Sequence, residues 1–192
     1  MNSLLLLIYS GFTINLVLQC ALDLNGVAES RNPYNISSLI KLGLIFLSVI
    51  ILWFLFSRIL FSISSGLFIY VLLFPVSAIF YSGLEYLVFR LLIKKDMLRD
   101  SFVSFPGGIT AVAAFICINI SGKFFEVAVL SFGFVAGIFM INLIVTEIRK
   151  RAALETIPVF LRGKPLVLIA MGLLSLVFTT ASFFIFRMIN TG

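Results

Sequence analysis

Histidine is absent from all 192 residues, and cysteine occurs only as Cys20 and Cys117. Without an imidazole the chain lacks the usual proton-transfer group near neutral pH and the commonest metal ligand. Two thiols cannot complete a four-thiolate iron or zinc site within one chain. No CxxC pair and no phosphate-binding glycine loop is present, which leaves no constellation of a soluble enzyme. Charge is scarce as well: charged residues are 11% of the chain and hydrophobic residues 61%. A typical globular domain carries roughly a quarter charged residues, so a soluble domain is excluded and an integral membrane protein is expected.

Crossing about 30 Å of hydrocarbon takes roughly 20 apolar residues. Six runs of that kind lie near residues 4–22, 39–61, 67–89, 105–121, 125–147 and 165–187. They fill the sequence as a single membrane domain. No Lys or Arg precedes Arg31, and the first run has no small-residue cleavage site, so it is expected to remain as the first helix and not to leave as a signal peptide.

Cytoplasmic loops are enriched in Lys and Arg. Six spans put the first, third and fifth loops on one side. With their flanks these hold Arg31, Lys41, Arg90, Lys94, Lys95, Arg99, Arg149, Lys150, Arg151, Arg162 and Lys164, which is 11 of the 14 basic residues. The other side has Arg58, Lys123 and Arg187. The asymmetry predicts both termini outside the cytoplasm and the basic loops inside. The net charge of +6 therefore reads as topology, with no nucleic-acid partner.

A division near residues 100–104 gives a first repeat over about 1–100 and a second over about 101–192, each of three spans. Three is odd, so the second half enters the membrane in the opposite direction, as in an inverted repeat. Each half opens on an interrupted run. The first carries Thr13, Asn15, Gln19, Cys20 and Asp23 before Asn25 and Gly26; the second is led by Pro106, Gly107 and Gly108 and carries Thr110, Cys117, Asn119 and Ser121. Paired broken helices of this kind mark a site at the bilayer midplane. The fold class expected is all-α, with six transmembrane helices in two inverted three-helix repeats whose first and fourth helices are broken.

Asn15, Gln19 and Asp23 recur every four residues, which puts them on one helix face as a possible ion path. Thr110, Ala114, Cys117 and Ser121 form a face of small side chains in the second half. Either face also serves simply as a packing and hydrogen-bonding surface. Gly133 and Gly137 make a GxxxG step, and Gly172, Ser175, Thr179 and Ser182 a second small-residue face; both read as helix contacts. Glu85, with Tyr81 and Tyr86, is a candidate ion or proton group or an interfacial carboxylate near Arg90. Asn142 reads as interhelical glue. Cys20 and Cys117 are small core residues, or half of a metal site shared with a second subunit.

Toward the C-terminus, Ile148-Arg149-Lys150-Arg151, Pro158, Arg162-Gly163, Leu168-Ile169, Gly172-Leu173, Ser175-Leu176 and Phe178 form a pattern. It resembles the paired six-helix membrane subunits of the Rnf and sodium-pumping NADH:quinone oxidoreductase (Nqr) complexes, closest to the RnfA and NqrE branch. Asn15, Leu18, Ala111, Val112, Asn119 and Gly137 also fit, and the resemblance covers nearly the whole chain. It implies a subunit of an NADH- or ferredoxin-linked complex that couples electron transfer to ion movement. That places it in a bacterial or archaeal cytoplasmic membrane, beside a homologous six-helix subunit and other partners, with lipid around it.

In that family two related subunits each give one cysteine from each broken helix, and the four thiolates hold an iron-sulfur cluster. Here the family's Leu-Gly-x-Cys falls on Leu22-Asp23-Leu24-Asn25, and its Thr-x-Asn-Cys-Ala on Gly107-Gly108-Ile109-Thr110-Ala111. Asn25 and Thr110 thus replace both ligand cysteines, and Cys20 and Cys117 lie out of register. The resemblance then implies a member without its own cluster, a scaffold and possible ion path, with the cluster and flavins in partner subunits. The alternative is a stand-alone secondary transporter with its site between the broken helices.

Overall fold

Helices that leave long apolar faces unburied are unsuited to water, and this chain has several. The computed structural model describes residues 3–15, 18, 36–57, 68–88, 90–91, 106–154, 158 and 163–191. Among them every element is helical. We label them α1 (Ser3–Ile8, continued by a π-helical turn over Tyr9–Thr13), α2 (Ile36–Leu55), α3 (Phe68–Val88), α4 (Pro106–Ile120), α5 (Phe124–Leu154) and α6 (Lys164–Thr191). On α3, Val71, Phe74 and Ile79 are exposed, and on α6 Leu173, Leu176, Val177, Phe183 and Phe184. Apolar exposure this extensive exceeds what a soluble monomer shows and suits lipid. Four helices, α2, α3, α5 and α6, are long and apolar enough to cross a membrane. The chain is an all-helical membrane protein.

The expected run at 105–121 becomes α4 over 106–120. Its 15 residues span about 22 Å at about 1.5 Å per residue, short of a full hydrocarbon crossing. Pro106 suits a first helical turn, where its missing N–H would have no partner. At the other end the Ser121 amide (3.1 Å) and hydroxyl both donate to the Cys117 carbonyl. After Gly122 and Lys123 the chain turns back into α5, and the Gly122 N–H donates to Glu126 Oε2 at 3.2 Å. That carboxylate sits at the positive end of the α5 dipole.

α5 runs seven residues past the expected 147, to Leu154. Glu147 pairs with Arg151 (3.6 Å) and Lys150 (3.9 Å) one turn on, contacts that extend a helix beyond its apolar run. Its inner stripe, Val127, Leu130, Phe134, Ile138, Ile141 and Val145, recurs every three or four residues and is buried. Around it lie α1 with its π-helical turn, α2, α4 and α6. α4 packs on α2 and α3 as well, and the fully buried Ala111, Ala113, Ala114 and Cys117 bring it in closely. Trp53 near the end of α2 meets Phe124 at the start of α5, ring centroids 6.5 Å apart, so these two helices run antiparallel.

Four buried hydroxyls are satisfied within their own helices. Ser48, Ser77, Thr146 and Ser182 donate to carbonyls three or four residues back, at 2.7–2.9 Å. Exposed Thr179 and Thr180 do the same at 2.8 Å. In lipid this removes most of the cost of an unpaired O–H.

Candidate functional site

The first helix breaks where the sequence turns polar. Inside the π-helical turn the Ile14 N–H donates to the Tyr9 carbonyl at 2.9 Å, five residues back, and Ile14 then leaves helical geometry at φ −106° and ψ 60°. Asn15 therefore lies past the end of this helix. It is 2% exposed and bridges the break: Nδ2 donates to the Gly11 carbonyl at 3.1 Å, and Oδ1 accepts from the Leu18 N–H at 3.4 Å. One amide thus serves a carbonyl released by the first half-helix and an amide of the next helical turn, as an N-cap does. Gln19, Cys20, Asp23 and Asn25 lie outside the described residues.

The break is seated on α5. A Cβ at Gly137 would stand 2.7 Å from the Gly11 carbonyl oxygen and 3.2 Å from Asn15 Nδ2. One turn earlier, a Cβ at Gly133 would overlap Ser10 Oγ and lie 3.0 Å from the Leu7 carbonyl oxygen. The GxxxG step expected as a helix contact is therefore the floor beneath the π-helical turn. Residue numbers rise together along the contact, so α1 and α5 run parallel. Ser10 and Gly11 were not singled out by the sequence; their smallness opposite a GxxxG step is the one signal that would have found them.

The second half presents a different surface. Thr110 is fully buried on α4. Cys117, also fully buried, has Sγ 3.9 Å from Ser131 Oγ of α5, a weak contact inside the hairpin. Asn119 is exposed and donates to the Phe115 carbonyl at 2.8 Å. Asn142 Oδ1 is buried without a hydrogen-bond partner among the described residues.

Glu85 belongs to another helix contact. Its carboxylate is 5% exposed and lies 3.3 Å from Lys41 Nζ of α2. The neighbour anticipated for it, Arg90, instead donates to Tyr86 Oη at 3.1 Å and stacks 5.8 Å from that ring. The pairing with Lys41 needs α2 and α3 side by side, which no local spacing in either helix shows. Asn15 and Glu85 thus occupy separate contacts, one on α5 and one on α2. Among the described residues no cluster of three or more Cys, Asp or Glu side chains could hold a metal ion.

No known protein family model and no curated protein matches the chain.

Proposed function

We propose that the chain is a six-span, inverted-repeat membrane subunit of an Rnf- or Nqr-like complex, a scaffold and ion path within an assembly that couples electron transfer to ion movement. The observation that carries this reading is an exchange of helix neighbours. α1 with its π-helical turn packs on α5 and α6, and α4 packs on α2 and α3. Swapping α1 with α4, α2 with α5 and α3 with α6 converts the first set into the second. The α2 contact with α5 maps onto itself, and α2 with α3 maps onto α5 with α6; the α4–α5 contact alone has no α1–α2 counterpart of like extent. Two halves related in this way, each opening on a short helix, fit the architecture in which an ion site lies between broken helices.

Asn15, Gln19, Asp23 and Glu85 are the polar groups assigned to the ion path, with the basic ends of α5 and α6 in the cytoplasm and both termini outside. A cluster held at the family's positions does not fit these residues. Thr110 brings a hydroxyl where a thiolate is required, and Cys117 is turned into the α4–α5 contact. Electrons then pass through partner subunits, which carry the iron-sulfur cluster and flavins.

Affinity purification of the tagged chain from its native membrane in mild detergent tests the assignment. Flavin- and iron-sulfur-containing subunits, with a cysteine-bearing six-helix homologue, are expected to co-purify. A self-sufficient homo-oligomer would overturn it in favour of a secondary transporter.

A further inference from the structure

Ser77, Tyr81 and Glu85 follow one another at four-residue intervals on α3 and are 0%, 1% and 4% exposed. Three successive turns therefore place a hydroxyl, a phenol and a carboxylate on one inward face of a helix that is otherwise largely lipid-exposed. Lys41, in the second turn of α2, closes the line at one end of the bundle. The pair is asymmetric: the Glu85 side chain is 5% exposed, whereas the Lys41 side chain, 3.3 Å away, is 40% exposed. A carboxylate so deeply buried requires a compensating positive charge. The Lys41 ammonium, on a flexible four-carbon stem near the start of the α2 span and open on one side of the bundle, can swing toward the membrane interface, provided that something of the same charge replaces it.

The geometry points to Lys41 as a tethered cation at a monovalent-cation site built on Glu85. A sodium or lithium ion entering from this end displaces the ammonium toward the interface and binds the Glu85 carboxylate, with Tyr81 and Ser77 one and two turns further along the same buried face of α3. Hard oxygen donors suit such ions. One positive charge enters as one withdraws, so Glu85 is compensated before and after the exchange. The inference rests on the ion-path part of the proposed function and is independent of its electron-transfer part. A plain staple between α2 and α3 would hold the same pair without exchanging it.

The test uses the full chain in lipid nanodiscs. Lys41 acylation is followed by mass spectrometry in sodium, lithium and choline chloride at equal ionic strength, with exposed Lys123 as the internal reference. Lys41 is expected to react several-fold faster in sodium or lithium than in choline, and Lys123 equally in all three. Equal Lys41 rates in every salt overturn the inference.

In Glu85→Gln, Lys41 should react at the fast rate whatever the salt. In Lys41→Met, sodium should raise the Tm above its value in choline, through binding to the folded state alone. The double variant K41M/E85Q should lose that difference. A Lys41→Met protein with the same Tm in all three salts, or a sodium effect that survives in the double variant, overturns the site. Failure of flavin subunits to co-purify leaves this result standing. Equal rates in a chain that does co-purify with them remove the cation site alone.

Discussion

Ser10 occupies the space that a side chain at Gly133 would need. Its Oγ donates to the Leu7 carbonyl at 3.1 Å, and that carbonyl is itself 3.0 Å from where a Gly133 Cβ would stand. The two residues are in effect one packing unit, and neither can grow without moving a backbone.

Gly133→Ala should therefore destabilise the α1–α5 contact by about 1–3 kcal/mol, the usual range for overpacking. Thermal unfolding in detergent reads the loss as a lower Tm. Ser10→Gly in the same chain should recover part of it, because the side chain is removed while the Leu7 carbonyl stays. A purely additive double mutant would disprove the coupling.

Gly137→Ala should be worse tolerated than alanine at Gly172 or Gly43. Its Cβ meets backbone, the Gly11 carbonyl oxygen at 2.7 Å, whereas both comparison sites open onto space with nothing within 4 Å. In those helices alanine removes backbone freedom from the unfolded chain, worth about 0.4–1 kcal/mol in favour of folding. Tm should fall for the first variant and stay level or rise for the other two.

Asn15→Ala removes both hydrogen bonds that bridge the helix break. Leaving a buried carbonyl and a buried amide without their partner costs about 1–3 kcal/mol. Hydrogen exchange followed by mass spectrometry should detect faster exchange at the Ile14 and Leu18 amides, with α4 unaffected. Asn15→Asp keeps the acceptor for Leu18 but sets a buried carboxylate oxygen against the Gly11 carbonyl, so it should be no better tolerated than alanine.

Membrane orientation can be read from single cysteines in a Cys20→Ser, Cys117→Ser background. A cysteine at Gly122, in the turn between α4 and α5, should react with an impermeant thiol reagent added outside intact cells. One at Lys150 should react only after permeabilisation, as the basic asymmetry requires. The reverse pattern would invert the topology.

Hydropathy located α4 to within a residue at each end because Pro106 and the Ser121-Gly122 turn punctuate the chain on both sides of it. It stopped α5 at Glu147, where the apolar run ends, because pairs such as Glu147 with Arg151 sustain a helix without any hydropathic signal. The GxxxG step was readable as a contact surface, but its partner was not: Ser10 and Gly11 have no pattern of their own. At Asn15 the four-residue spacing suggested a continuous polar face. The π-helical turn that precedes Asn15 has no such pattern, and nothing in composition announces one. The pairing of Lys41 with Glu85 is a product of helix packing and lies beyond any local reading.

Parallel packing of α1 on α5 also sets an order for biogenesis. α1 acquires its seat on α5 only after three intervening helices, α2, α3 and α4, have been made. Until α5 arrives, the Asn15 amide and the released Gly11 carbonyl lie without their glycine floor, in a segment too interrupted to anchor well by itself. Insertion is thus expected to depend on retention of α1 by the insertion machinery until α5 is made. Truncation before α5 should leave α1 accessible to cytoplasmic quality-control proteases, while α2 and α3 remain embedded.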